Sequence, residues 1–245
     1  MTHKRHDSGF TLVELAIAIF IIALLLGSIL VPLATQVEQR QVAETQKTME
    51  DIRDALLGFA ATNGYLPCPD LQVGGTPTAG NEDVNAGTGL CATIVPSAGG
   101  NLSAGNVPWS TLGLGNQDLW GNRFRYTVLA AYAQRAPATT FSLGTAGGLR
   151  VCTTAACAPA ADVLTSSAVA VIISHGKNGR SAINALTNAA NVAAASADEL
   201  ANADNDRDAV SRTHSNVAAT EFDDIVIWLP KFTLNNRMIT AGKLP

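Results

Sequence analysis

Charge is scarce in this chain of 245 residues: Asp, Glu, Lys and Arg together make up 15% of it, and aromatic residues only 5%. Set against 47% apolar residues, so little charge excludes an intrinsically disordered chain. A net charge of −4 removes the overall basic footprint of a nucleic-acid binder, leaving open only a local basic patch on the folded surface. Cysteine appears four times and never as a C-x-x-C pair, and His175 and His214 lie far from any of the four, so the tight ligand spacing of a zinc site is missing. No G-x-x-x-x-G-K-[ST] run occurs, so "SHGKNG" is not a Walker-type phosphate loop despite its glycines and Lys177. Ser174 and His175 are neighbours on a strand pattern and point to opposite faces, which rules out a local nucleophile–base pair. The stretch reads as the turn that ends a strand. Trp109, Trp120 and Trp228 read as core or contact anchors, and no catalytic constellation stands out.

One absence is itself a feature. From Leu15 to Val37 there is no charged residue, a run that at ~1.5 Å per residue spans the roughly 30 Å hydrocarbon core of a bilayer. A cleavable signal peptide has an apolar region of about 7–15 residues and a small-residue cleavage site. This run is longer, and its far end, "LVPLATQ", fits such a site poorly. The sequence therefore predicts a retained membrane helix. Lys4 and Arg5 ahead of it favour a cytoplasmic start, although Arg40, Lys47 and Arg53 follow on the other side. Pro32 removes one backbone bond and predicts a loosened turn at Gly27–Pro32. Glu14 is the anomaly: an acid in the middle of a bilayer costs about 2.5–3.5 kcal/mol, less near the interface. Either it snorkels to the head groups, or a cation from another chain neutralises it.

The helix is expected to continue past the membrane. Val42, Thr45, Met49, Ile52, Leu56 and Phe59 form an amphipathic stripe, and Asn63-Gly64 with Pro67 supplies the stop, giving one helix from about Thr11 to Thr62. Residues 65–122 read as a long irregular region. Strands are predicted from about Arg123, with Phe124, Tyr126 and Val128 on one face, then at "TTFSLG", "GLRVC", "SSAVAVIIS" and "EFDDIVIWLP"; Pro230 and Gly242 bracket a short final helix. A long helix, a loop region and antiparallel strands in that order make an α+β fold. An even cysteine count downstream of a membrane segment points to disulfides in an exported domain. Of the three connectivities, Cys68–Cys91 with Cys152–Cys157 closes the shortest loops and is expected; free thiols are the alternative.

"GFTLVELAIAIFIIALLLGSILVPL" resembles the N-terminal signature of type IV pilins and type II secretion pseudopilins. The resemblance implies that a cytoplasmic leader, residues 1–9, is removed between Gly9 and Phe10 by a prepilin peptidase, which then N-methylates Phe10. Glu14 becomes the fifth residue of the mature chain, the assembly glutamate. Cleavage leaves an ammonium group at the head of an apolar helix, and axial stacking brings the glutamate of one helix to the ammonium of the next, so each buried charge gains a partner. The implied organisation is a transmembrane segment over 10–37, an amphipathic continuation over 38–64 and an exported domain over 65–245, its N-terminus cytoplasmic and its domain periplasmic until it enters a filament. The implied partners are sister pilin or pseudopilin subunits, the peptidase, and the inner-membrane assembly platform with its ATPase.

"DLWGNRFRY", "SHGKNG" and "FDDIVIW" resemble, more loosely, segments of the major pseudopilin, with long insertions that include residues 182–205. Some major pseudopilins hold Ca²⁺ in a loop before the last of these, which makes Asp204, Asp206, Asp208, Asp223 and Asp224 candidate ligands. "DNDRD" is not an EF-hand loop, because positions six and twelve are Ala209 and Ser215. A solvated acidic loop is the competing reading. The expected function is a non-enzymatic filament subunit, the bulky domain favouring a minor one. The alternative is a periplasmic binding or enzymatic domain that uses the helix only as a tether.

Overall fold

The computed structural model describes residues 11–71, 79–158 and 161–244, with the side chains of residues 26–34 outside the description. The chain forms two compact units, residues 1–43 and 44–245. Helix α1, Leu12–Asn63, contributes to both. The backbone stays helical through Pro32, where a loosened turn was expected: one missing N–H is tolerated when the bonds on either side persist. Gly64 closes the helix, at φ +91° with its N–H donated to the Ala60 carbonyl at 2.8 Å, a left-handed stop that glycine adopts without steric cost.

The described apolar run of the first unit, Leu12–Leu25, is exposed along its whole length. It rises roughly 20 Å at ~1.5 Å per residue, short of the ~30 Å bilayer core. Among the described residues no helix is long and apolar enough to cross a membrane. The parts of the expected 10–37 span that would lengthen the run, residue 10 and the side chains of 26–34, lie outside the described residues.

The second unit begins inside α1 because the helix from Glu44 onward packs into the domain. Thr45, Met49, Ile52, Leu56 and Ala60 are all buried, a 3.6-residue stripe. Ala60 takes the place expected of Phe59, which instead meets the edge of Tyr65 with ring centroids 5.7 Å apart. Across the stripe lies a six-stranded sheet. Its strands are β3 Leu102–Asn106, β4 Arg125–Leu129, β5 Leu149–Cys152, β6 Val163–Ser174, β7 Asp208–Val210 and β8 Ile225–Pro230. A separate two-residue ladder joins β1 Val84–Asn85 to β2 Leu90–Cys91. The sheet order is β3-β4-β6-β5-β7, with β8 also on β6; β5 and β7 run parallel and every other pairing is antiparallel.

Strand β6 is the hub, because Ala168–Ser174 is buried at every position, as a continuous apolar run covered on both faces must be. The expected strand at "TTFSLG" does not form. Its Phe141 leaves the sheet to pack on Tyr132, centroids 4.7 Å apart, and a turn follows at once, the Thr145 N–H bonding to Ser142. Strand β3 lies in the region read as irregular. Its composition, "LSAGN", carries no strand signal; it is held by full-length pairing with β4 and by a bridge from Asn106 to Asp70. The structure joins Cys68 to Cys91 and Cys152 to Cys157, with Cα–Cα distances of 5.4 and 5.3 Å. Among the described residues three short α-helices, α2 Trp109–Leu112, α3 Ala197–Ala201 and α4 Lys231–Thr240, and a single 3-10 turn at Ala130–Tyr132 complete the unit, α4 following β8 directly.

Candidate functional site

Thr11 caps the start of α1 together with Glu14, in the reciprocal pattern of a T-x-x-E capping box. The Glu14 carboxylate accepts from the Thr11 N–H at 2.8 Å and from the Thr11 hydroxyl at 2.7 Å, while the Glu14 N–H reaches the Thr11 hydroxyl oxygen at 3.3 Å. In a single chain the acid is thus satisfied locally, on an exposed first turn. Gly9 and Phe10, the expected cleavage and methylation positions, lie outside the described residues.

The second site is built where the turn after β6 meets the loop before β8. Gly176, at φ +59°, passes so close to Asp223 that a Cβ there would sit 2.3 Å from the Asp223 carbonyl oxygen. The turn then presents Asn178, whose N–H donates to Asp223 Oδ2 at 2.7 Å and whose side chain donates to Glu199 Oε1 at 3.0 Å. Glu199 stands on α3, a helix opened by Ser196, whose Oγ accepts the Glu199 N–H at 3.2 Å. Asp224 is held from another side: Asn202 donates to its Oδ2 at 2.8 Å, and His175 Nδ1 lies 3.4 Å from its Oδ1 without hydrogen-bond alignment.

Glu199, Asp223 and Asp224 converge, each offering one carboxylate oxygen within 4.8 Å of the others. Glu199 is only 1% exposed and Asp224 7%. Glu199 and Asp223 each have one oxygen tied by a donor and one, Oε2 and Oδ1 respectively, buried with no hydrogen-bond partner. Burial, and after it the charges of Asp224 and Glu199, push the Asp223 carboxyl up to about 6 against the Asn178 hydrogen bond. Burial likewise raises Glu199 above the ordinary carboxylate range, with Asp224 adding to it. Tethered oxygens, spare buried oxygens and mutual repulsion are what a hard, oxygen-seeking divalent cation relieves, so these residues fit Ca²⁺. Such an ion would supply charge neutralisation and a link between α3 and the segment just before β8.

The five aspartates expected as ligands are divided by the fold. Asp223 and Asp224 enter the cluster. Asp208 instead forms a two-point ion pair with Arg150 of β5, and Asp204 and Asp206 accept the N–H groups of Asp206 and Asp208, two residues on, at 3.2 and 2.7 Å. Their carboxylates thus organise their own loop. Glu199 supplies the third carboxylate and was missed. Its local signal, the capping-box spacing "SADE" from Ser196 to Glu199, marks a helix start but not a ligand. Ser174 and His175 do not act together: Ser174 donates to the buried Asp118 at 2.7 Å, and Asp118 also accepts the N–H groups of Trp120 and Asn122. "DLWGN" and "SHGKNG" are therefore two turns fastened to each other.

Residues 4–30 match the prokaryotic N-terminal methylation motif. The chain carries the signature of type IV pilins and pseudopilins. The matched segment contains Gly9, Phe10, Thr11 and Glu14. No curated protein and no solved structure matches the chain.

Proposed function

We propose that this chain is a non-enzymatic subunit of a helical filament, a type IV pilus or a type II secretion pseudopilus, which it enters through its N-terminal helix after its leader is removed. Glu14 carries the reading. It is the one acid between the expected cut and Val37, inside the methylation motif, and among the described residues its carboxylate is met by the Thr11 N–H and hydroxyl. The capping box is then a holding position. On assembly the ammonium of a neighbour's Phe10 takes over the carboxylate, exchanging a neutral hydrogen-bonded partner for a charged one, a stronger pairing in a dry helix core.

The exported domain, in this reading, forms the filament coat, and the Glu199–Asp223–Asp224 cluster binds Ca²⁺ to fix the insertion against the sheet. The deciding experiment is Glu14→Ala in the native host. The expected result is a processed, membrane-resident protein absent from sheared filaments. Unchanged entry into filaments overturns the subunit reading in favour of a tether. Mass spectrometry of the mature N-terminus provides the second test, since an intact 1–9 leader is incompatible with it.

A further inference from the structure

The basic patch left open by the overall charge exists, and it is the C-terminal helix. From Lys231 onward the chain carries Lys231, Arg237 and Lys243 and no acid. Leu234, Asn235 and Met238 face the core, while Phe232 is 73% and Ile239 51% exposed. Phe232 and Ile239, spaced i, i+7 with the polar Asn236 between them, share one exposed edge of the helix, and Lys231 lies over the Phe232 ring, 6.0 Å from its centroid. Among the described residues none of the three cations has an ion-pair partner. Lys231 also stands at the positive end of the helix macrodipole, where no side chain caps the helix and no acid occupies the first turn, a placement unfavourable within one chain.

The complementary surface is on α1. Opposite its buried stripe the helix exposes Glu44, Asp51 and Asp54, with Lys47 as the one exposed cation between them; none of the three acids has an ion-pair partner among the described residues. On this ridge, one turn beyond Asp54, sits Gly58. Glycine inside a helix weakens it relative to alanine, and here no internal packing requires it: a Cβ would meet nothing within 4 Å. The missing side chain leaves a notch beside the acids that no described residue fills within 4 Å.

We propose, building on the filament reading, that α4 of one subunit docks on the α1 ridge of a second copy, Phe232 seated over Gly58 and Lys231 beside it against Asp54. The spacing agrees. Lys231 lies 6.0 Å over the Phe232 ring, and Asp54 lies roughly 6 Å along α1 from Gly58 on the same face, within the reach of a lysine side chain. Because the two surfaces differ, the contact is head-to-tail and propagates rather than closing a dimer.

The test uses full-length protein in cells. All four native cysteines are paired, so a Thr62→Cys/Asn236→Cys chain, with each exposed site one turn beyond Gly58 or Phe232, reports new cross-links only. Oxidation is expected to give a ladder of covalent oligomers. Lys231→Glu is expected to cut the ladder about tenfold, and adding Asp54→Lys to restore it. Gly58→Leu, which favours the helix itself, is expected to abolish the ladder while leaving the thermal midpoint unchanged or raised. No ladder, or a charge swap that fails to restore it, overturns the docking; so does a basic face that is instead lost from anionic phospholipid vesicles on reversal with the ladder intact. The filament reading is scored separately by Glu14→Ala, so a ladder that persists when the chain enters no sheared filament supports the contact and removes the filament.

Discussion

Gly176 and Asp223 touch backbone to backbone, with only 2.3 Å between the position a Gly176 Cβ would occupy and the Asp223 carbonyl oxygen. This contact lets the turn after β6 deliver the Asn178 N–H to the Asp223 carboxylate. Gly176→Ala adds a side chain at φ +59° against backbone that cannot yield. The expected cost is about 1–3 kcal/mol in denaturant unfolding, with calcium affinity falling at the same time. A variant as stable as the parent removes the turn from the account of the site.

Calcium is expected to raise the thermal midpoint of the purified full-length protein and EGTA to lower it. At about a hundred times Kd a single site contributes about 2.7 kcal/mol, which in a chain of this size reads as a rise on the order of 5–10 °C. Glu199→Gln and Asp223→Asn, each of which keeps the volume and removes one charge, should abolish the calcium-dependent shift; Asp206→Asn should leave it intact, because Asp206 is outside the converging group. Calorimetric scans with and without the ion decide it.

Asp204 gives a pH dependence of defined sign. Burial, and next the charge of Asp206, push its carboxyl up to about 6. A raised carboxyl takes up its proton more readily folded than unfolded, so its stabilising contribution is fully present below the ordinary value of 3.8 and is lost as pH rises through about 6. Asp204→Asn should therefore raise stability at pH 7–8 and flatten the slope between roughly pH 4 and 7. Urea midpoints across that range supply the measurement, and an unchanged slope contradicts the assignment.

The two disulfides should differ in worth. Cys68–Cys91 closes a sequence separation of 23 and Cys152–Cys157 one of 5. On a chain-entropy basis the first contributes roughly 3 kcal/mol and the second roughly 2 kcal/mol. Cys68→Ser/Cys91→Ser is expected to lower the unfolding free energy more than Cys152→Ser/Cys157→Ser, and the reverse order would place the larger constraint in the short loop.

Much of the fold is legible along the chain because it is written in local chemistry. The stripe Thr45–Met49–Ile52–Leu56 has helical period, Gly64 has the freedom a helix stop needs, and "AVAVIIS" has no polar face to expose, so each fixes its own conformation. Strand β3 and the "TTFSLG" segment were misread for the same reason in opposite directions. Leu102–Asn106 becomes a strand only because β4 lies beside it, and Phe141 abandons the strand pattern only because Tyr132 offers it a better surface.

The sequence by itself determined the methylation motif, the uncharged run that makes Glu14 conspicuous, and the α+β order of elements, since each depends on residues adjacent in the chain or one helical turn apart. Only the tertiary structure decided which acids meet. It parted Asp208 from Asp223 by pairing it with Arg150 and brought in Glu199 from α3. It also set Phe232 with Lys231 over its ring, and the acidic ridge around Gly58, on the surface. Those outcomes depend on which distant segments share a burial site, and no local pattern encodes that.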